Sequence, residues 1–164
     1  MSQSLEQSFV KQLRDNQNII HKICRLYTQS DDAHHDLFQE ITIQLWKAFP
    51  GFRGDSKFST WAYRVALNTA ITLYRKTTRS ISTSPLDDGR YFLPQEEYNM
   101  EEEEQIKLLY QAVQQLNDIE KALVFLYLED KDYQEISNTL GISEVNARVK
   151  MNRIKTKLKK IINP

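Results

Sequence analysis

DKDYQEISNTLGISEVNARVKMNRIKTKLKK, residues 130–160, divides into helix, turn and helix. Asp132 is placed to cap the first helix, with Glu135 three residues on to close a capping box. Gly141 takes the left-handed conformation that stops that helix, because glycine has no Cβ to clash there. Ser143 caps the second helix. Ile136, Leu140 and Ile142 are positioned to pack the angle between the two. This is a helix-turn-helix arrangement, whose second helix enters the major groove of DNA.

The second helix separates into faces. Ala147, Met151, Ile154, Leu158 and Ile161 recur at intervals of 4, 3, 4 and 3, a buried stripe. Val145, Asn146, Arg148, Val149, Asn152 and Arg153 lie opposite. Arginine reads guanine, asparagine reads adenine, and valine touches the thymine methyl. Lys155, Lys157, Lys159 and Lys160 follow toward the C-terminus, where cations also suit the helix dipole. A plain helical hairpin would not require turn chemistry, face and charge to agree.

Outward from this segment, glycine and proline punctuate the chain. Pro50, Gly51 and Gly54 mark one break; Pro85, Gly89 and Pro94 mark a second. Between them, apolar residues recur at three and four rather than two, which predicts helices. They fall near 3–29, 32–49, 60–79, 104–115, 118–129, 133–140 and 144–162. The expected fold is all-α: two small helical domains, 1–80 and 106–164, joined by a flexible acidic linker at 81–105.

Composition narrows the function. The chain has 164 residues with no net charge, so it is not a uniformly basic nucleic-acid binder. The charge is nevertheless segregated. Residues 1–80 carry 11 basic and 7 acidic side chains, net +4; residues 81–130 carry 3 and 12, net −9; residues 131–164 carry 8 and 3, net +5. Two basic ends suggest two modules that face an anion. The longest apolar run, Ala122 to Leu128, is seven residues, far short of a membrane span. No membrane insertion and no secretion signal are expected. Cys24 is the one cysteine, which leaves no intrachain disulfide and points to a reducing, cytoplasmic setting.

In the helix at 32–49, Leu37, Phe38, Ile41, Leu45, Ala48 and Phe49 form the core stripe. Asp36, Gln39, Glu40, Ile43, Gln44 and Lys47 face away, with Trp46 at the edge. An isoleucine among exposed carboxylates fits a partner surface as well as a stray apolar residue. The segment FRGDSKFSTWAYRVALNTAITLYRKTTR, residues 52–79, opens with a loop from Phe52 to Phe58 that holds Arg53, Asp55 and Lys57. Ser59 is the expected N-cap of the following helix. Arg64, Asn68, Thr72, Arg75 and Arg79, spaced 4, 4, 3 and 4, form one stripe with Trp61 along it. Guanidiniums with aromatics nearby suit a nucleic-acid backbone and unstacked bases.

Catalytic signals are poor. There is no phosphate-binding glycine loop and no nucleophile elbow. His34, His35, Asp36 and Glu40 read as an exposed helix start, and His21 with Cys24 as helix packing. No metal, no cofactor and no catalytic residue is expected.

The order of motifs resembles a bacterial RNA polymerase sigma factor of the extracytoplasmic-function (ECF) type, in wording similar to members from the Bacteroidetes. DDAHHDLFQEITIQLWKAF resembles region 2.1–2.2, FRGDSKFSTWAYRVALNTAI region 2.3, and LYRKTTR the basic region 2.4. From about Ile106 the chain resembles region 4, with no region 3 between. The resemblance implies core RNA polymerase, through its β′ clamp helices and β flap, promoter DNA and an anti-sigma factor as partners.

Carried over by position, the resemblance gives Asp36, Phe38, Gln39, Glu40, Ile43 and Trp46 to core polymerase. It gives Phe52, Arg53, Asp55, Lys57, Ser59, Trp61 and Asn68 to the pocket for an unstacked base of the −10 element. Arg64, Arg75, Lys76 and Arg79 go to that element's phosphates. Ser143, Asn146, Arg148, Val149, Asn152 and Arg153 go to the −35 element. The linker resembles a segment that threads toward the RNA exit path. The chain departs from the pattern at Thr72, where many members have aspartate, and at Val145 and Ala147. A helix-turn-helix regulator with a helical sensing domain is the alternative function. A third reading, a nuclease holding a metal through Asp31, Asp32, Asp36 and Glu40, would require metal-dependent cleavage.

Overall fold

The computed structural model describes the backbone of residues 2–80 and 100–164 and the side chains of 4–77 and 101–164. Among them there are seven α-helices and no strand: α1 (Ser2–Tyr27), α2 (Asp31–Ala48), α3 (Phe58–Ser80), α4 (Met100–Gln114), α5 (Asp118–Leu128), α6 (Tyr133–Leu140) and α7 (Glu144–Ile162). A 3-10 turn, Phe49–Gly51, follows α2. The chain forms two compact units, Met1–Leu86 and Asp87–Pro164.

In the first unit α1, α2 and α3 pack on one another. Ile20 and Ile23 of α1 and Leu37, Ile41 and Leu45 of α2 are all buried in this core. On α3 the buried positions Ala62, Ala66 and Ala70 recur every four residues, and their small side chains let the neighbouring helices approach closely. Each fully buried leucine or isoleucine here contributes about 1.5–3 kcal/mol. Ser30 caps α2, its hydroxyl accepting from the Ala33 N–H.

In the second unit α7 packs against α4, α5 and α6. Its inner stripe is Ala147, Met151 and Ile154, all buried, with Leu158 and Ile161 half-buried. Both capping boxes are complete: Asn117 with Glu120 at α5, and Asp132 with Glu135 at α6.

Three expectations change. Helix α3 begins at Phe58, so Ser59 lies inside its first turn rather than at the cap. Phe58 is buried and takes helical geometry one residue early, and the Lys57 carbonyl accepts from the Trp61 N–H. Helix α4 begins at Met100, four residues before the expected start at 104. Glu101, Glu102 and Glu103 fill its first turn, where carboxylates are favoured by the helix dipole. The linker expected at 81–105 is therefore helical from 100, and its residues 81–99, with the flexibility expected of them, lie outside the described residues. His34, expected at an exposed helix start, is half-buried against α1.

Candidate nucleic-acid interface

The first unit gathers aromatic rings at the junction of α2, the 3-10 turn and α3. Phe52 lies 5.1 Å from Trp61 and 5.9 Å from Phe58, and Phe58 lies 5.4 Å from Trp61. Phe49, buried, stands 6.2 Å from each of the three and forms the floor. Phe52 and Trp61 remain half-exposed, so the cluster offers π-faces to solvent. Phe52 is fixed by its N–H, which donates to the Phe49 carbonyl at 2.9 Å. Beyond it the loop residues Arg53, Asp55 and Lys57 are exposed, and Gly54 turns the chain at φ 76.

Alongside the cluster, α3 exposes Arg64, Asn68, Thr72 and Arg75 in one stripe, with Lys76 beside it. Ser59 is half-buried at the head of the helix. Thr72 donates its hydroxyl to the backbone carbonyl of Asn68 at 2.7 Å, and the Asn68 side chain is exposed. The side chain of Arg79 lies outside the described residues. A planar base stacking on aromatics beside donors and cations is what this surface can hold.

On α2, Ile43 is 45% and Trp46 40% exposed, whereas Leu37, Ile41 and Leu45 are buried. Asp36 and Gln39 are exposed. Gln39 bonds the exposed His35 at 3.0 Å, and the half-buried Glu40 accepts from Gln44 at 3.0 Å. Phe38 is half-buried, and its ring stacks on His21 of α1 at 4.5 Å. His21 Nδ1 in turn meets His34 Nε2 at 2.9 Å, with the rings stacked. Burial holds both imidazoles below the usual histidine range, and the Arg25 guanidinium adds to this, so they are neutral at pH 7. Cys24 is fully buried beside them, its thiol pushed up to about 12 by burial. No group of three or more histidine, cysteine or carboxylate side chains among the described residues is placed to hold a metal.

In the second unit Ser143 caps α7, its hydroxyl accepting from the Asn146 N–H at 3.0 Å. Gly141 ends α6 at φ 71, as expected of a left-handed stop. Val145, Asn146, Arg148, Val149, Asn152 and Arg153 are all exposed on one side of α7. Val145 is 73% exposed, a methyl pair presented to solvent with no packing reason. The Arg148 guanidinium lies 5.2 Å over the ring of Tyr133, and the Lys155 ammonium 4.6 Å over that of Tyr127.

Residues 13–80 match the family described as Sigma-70 region 2, and residues 106–158 the family described as Sigma-70, region 4. The chain belongs to the extracytoplasmic-function sigma factors of RNA polymerase. It is 28% identical over 165 residues to the RNA polymerase sigma-H factor of Pseudomonas aeruginosa, covering 93% of this chain and 84% of that protein. It is 27% identical over 158 residues to the ECF RNA polymerase sigma-E factor of Escherichia coli K12, covering 88% and 82%. Its fold is shared with the sigma factor RpoE of Bartonella quintana, solved with the anti-sigma factor NepR. The TM-score is 0.74 at 15% identity, covering 94% of this chain and 96% of that one. It is shared also with CnrH, solved with the cytosolic domain of CnrY, at a TM-score of 0.68, 16% identity and coverage of 96% and 89%.

Within the sigma factor, the candidate −10 residues of the loop and of α3 lie together, and so do the candidate −35 residues on α7. Phe49, as floor of the aromatic cluster, and Tyr133, beneath Arg148, were not singled out by motif. Phe49 was hidden by its apolar periodicity with Leu45 and Ile41. Tyr133 was hidden because no local spacing connects it to a residue fifteen positions later.

Proposed function

We propose that this sigma factor, which directs promoter-specific initiation of transcription with core RNA polymerase, divides its task among three surfaces. The exposed side of α2, with Asp36, Gln39, Glu40, Ile43 and Trp46, docks on the polymerase β′ clamp helices. Phe38 supports that surface through its stack on His21. The loop 52–57 with Trp61 and Asn68 receives an unstacked base of the −10 element, while Arg64, Arg75, Lys76 and Arg79 follow the phosphates. The exposed side of α7 reads the −35 element in the major groove, the second unit being held near the β flap. An anti-sigma factor is the further partner this reading supplies. The polymerase performs the chemistry and this chain supplies recognition.

The observation that carries the reading is the coexistence in one chain of two chemically different surfaces. One is aromatic and suits single strands; the other is a capped helix-turn-helix that suits duplex. Each is small, so each alone binds weakly and with strong salt dependence. Docking both on one polymerase raises their effective concentration. Base unstacking in the first unit then couples duplex opening to binding.

Transcription by core polymerase from a library randomised in both promoter elements tests the division. Asn68→Ala should relax discrimination at one −10 position and leave the −35 preference alone. Arg148→Ala should relax one −35 position by about 1–3 kcal/mol. Arg75→Ala should weaken all promoters alike and flatten the salt dependence, because a phosphate contact carries no sequence information. Crossed effects between Asn68 and Arg148 would overturn the assignment.

A further inference from the structure

The two helices of the helix-turn-helix are joined across their outer side by Tyr133 and Arg148. Tyr133 is the first residue of α6, directly after Asp132, whose carboxylate accepts from the Glu135 N–H at 2.8 Å. The reciprocal bond, in which the Asp132 N–H donates to the Glu135 carboxylate, completes the capping box at this point. Tyr133 is half-buried. Arg148 stands in the second turn of α7 and is exposed, and its guanidinium carbon lies 5.2 Å from the centre of the Tyr133 ring.

We propose that Tyr133 is a specificity-positioning residue, which holds the Arg148 guanidinium over its ring in the free protein at the angle from which it meets a guanine of the upstream element. The proposal rests on the reading of α7 as the helix in the major groove. In a parallel stack a guanidinium presents its π-face to the ring, and its N–H donors lie in its own plane and point away from the ring. Stacking and a bidentate bond to guanine O6 and N7 are therefore compatible, whereas an ion pair with a carboxylate would consume the same donors. An exposed arginine otherwise samples many rotamers, and each must be abandoned on binding. The ring at the capped start of α6 removes part of that loss before DNA arrives. A lysine at 148 would keep the charge and lose both the plane and the fork.

An exposed cation–π contact corresponds to about a two- to fivefold effect. The test is transcription by core polymerase with the full chain on the randomised upstream library. Tyr133→Leu should lower preference about two- to fivefold at the one position that Arg148→Ala relaxes, and at no other. Tyr133→Phe, which keeps the ring, should retain the preference. In an Arg148→Ala background, Tyr133→Leu should have no further effect at that position. An equal loss at every position, or an equal loss in Tyr133→Phe and Tyr133→Leu, would overturn the proposal. The first would make the ring merely structural, the second would assign the effect to the hydroxyl. If Arg148→Ala relaxes no upstream base, the reading of α7 fails and the proposal falls with it. If Arg148→Ala does so and Tyr133→Leu does not, the proposal alone fails. Should Tyr133→Leu not fold, the side-chain proton shifts of Arg148 in the wild-type chain decide. Upfield displacement by the ring supports the stack, and values of a free arginine overturn it.

Discussion

The ring of Phe9 lies 5.1 Å from that of Trp46, tilted by 53°. Phe9 also lies 5.2 Å from Phe49, the floor of the aromatic cluster. A residue early in α1 thus seats both the half-exposed tryptophan of α2 and the base of the candidate −10 pocket. Phe9 itself is buried.

This geometry separates docking from folding. Ile43 is 45% exposed and contributes little to the core, so Ile43→Glu should change the melting temperature by no more than a degree or two. It should weaken core polymerase binding at least tenfold, since it places a charge in a desolvated contact. Phe9→Ala should do the opposite first, with a stability loss of about 3–5 kcal/mol from the cavity under Trp46 and Phe49. Titration of labelled core polymerase, paired with thermal unfolding, checks both. Unchanged affinity in folded Ile43→Glu would remove α2's outer side from the interface.

How much of this was legible in the sequence depends on the range of the interaction. Asp132, Glu135, Gly141 and Ser143 act within four residues, and their caps and stop stand where spacing placed them. The α7 faces were equally readable, because a 3.6-residue period assigns Ala147, Met151 and Ile154 inward without a partner being known. Long-range contacts were not. Phe9 shares a stripe with Leu13, Ile20, Ile23 and Tyr27, so its burial was accessible, but its contact with Trp46 was not. His34 was misplaced because its partner, His21, stands thirteen residues away on another helix. The start of α4 was set too late because four consecutive glutamates read as solvated chain, when three of them occupy a helix's first turn.

Lys121 was also concealed. It opens the apolar run of α5 and is 2% exposed, with Nζ donating to Gln114 Oε1 at 3.3 Å. Burial lowers its ammonium from 10.5 to about 8, and Asp118 opposes this in part. The folded state thus binds the proton more weakly than the unfolded chain. Below pH 8 both states are protonated and the cost of the buried charge is present in full. As pH rises from about 8 to 10.5 the folded state releases its proton first, and stability increases by about 3 kcal/mol across that window. Lys121→Met should be more stable than wild type at pH 7 by about 1–3 kcal/mol, and the gap should close by pH 10.5. Urea unfolding of both proteins at the two pH values measures this, and a gap independent of pH would refute it.

The turn after α5 offers a prediction of opposite character, because backbone rather than burial governs it. Asp130 has φ 60, the one non-glycine in the left-handed region among the described residues. Its N–H donates to the Tyr127 carbonyl at 3.2 Å, and the Lys131 N–H to the Leu126 carbonyl at 3.1 Å. These are the two bonds of a Schellman motif, with Glu129 as the C-cap and Asp130 where glycine is usual. They redirect the chain from α5 into the capping box of α6, so the turn fixes where the helix-turn-helix begins. A Cβ in this region crowds the following carbonyl, and aspartate tolerates it better than most residues but not freely. Asp130→Gly should relieve that crowding, at some cost in unfolded-state entropy, and stabilise the chain by up to about 1 kcal/mol. Asp130→Val, with a branched Cβ, should destabilise it by about 1–2 kcal/mol. Position 130 lies outside α7, so promoter preference should be unchanged in the folded variants. Chemical unfolding of the three proteins orders them Gly, Asp, Val. If valine matched aspartate, the left-handed turn would not be what holds α5 and α6 in register.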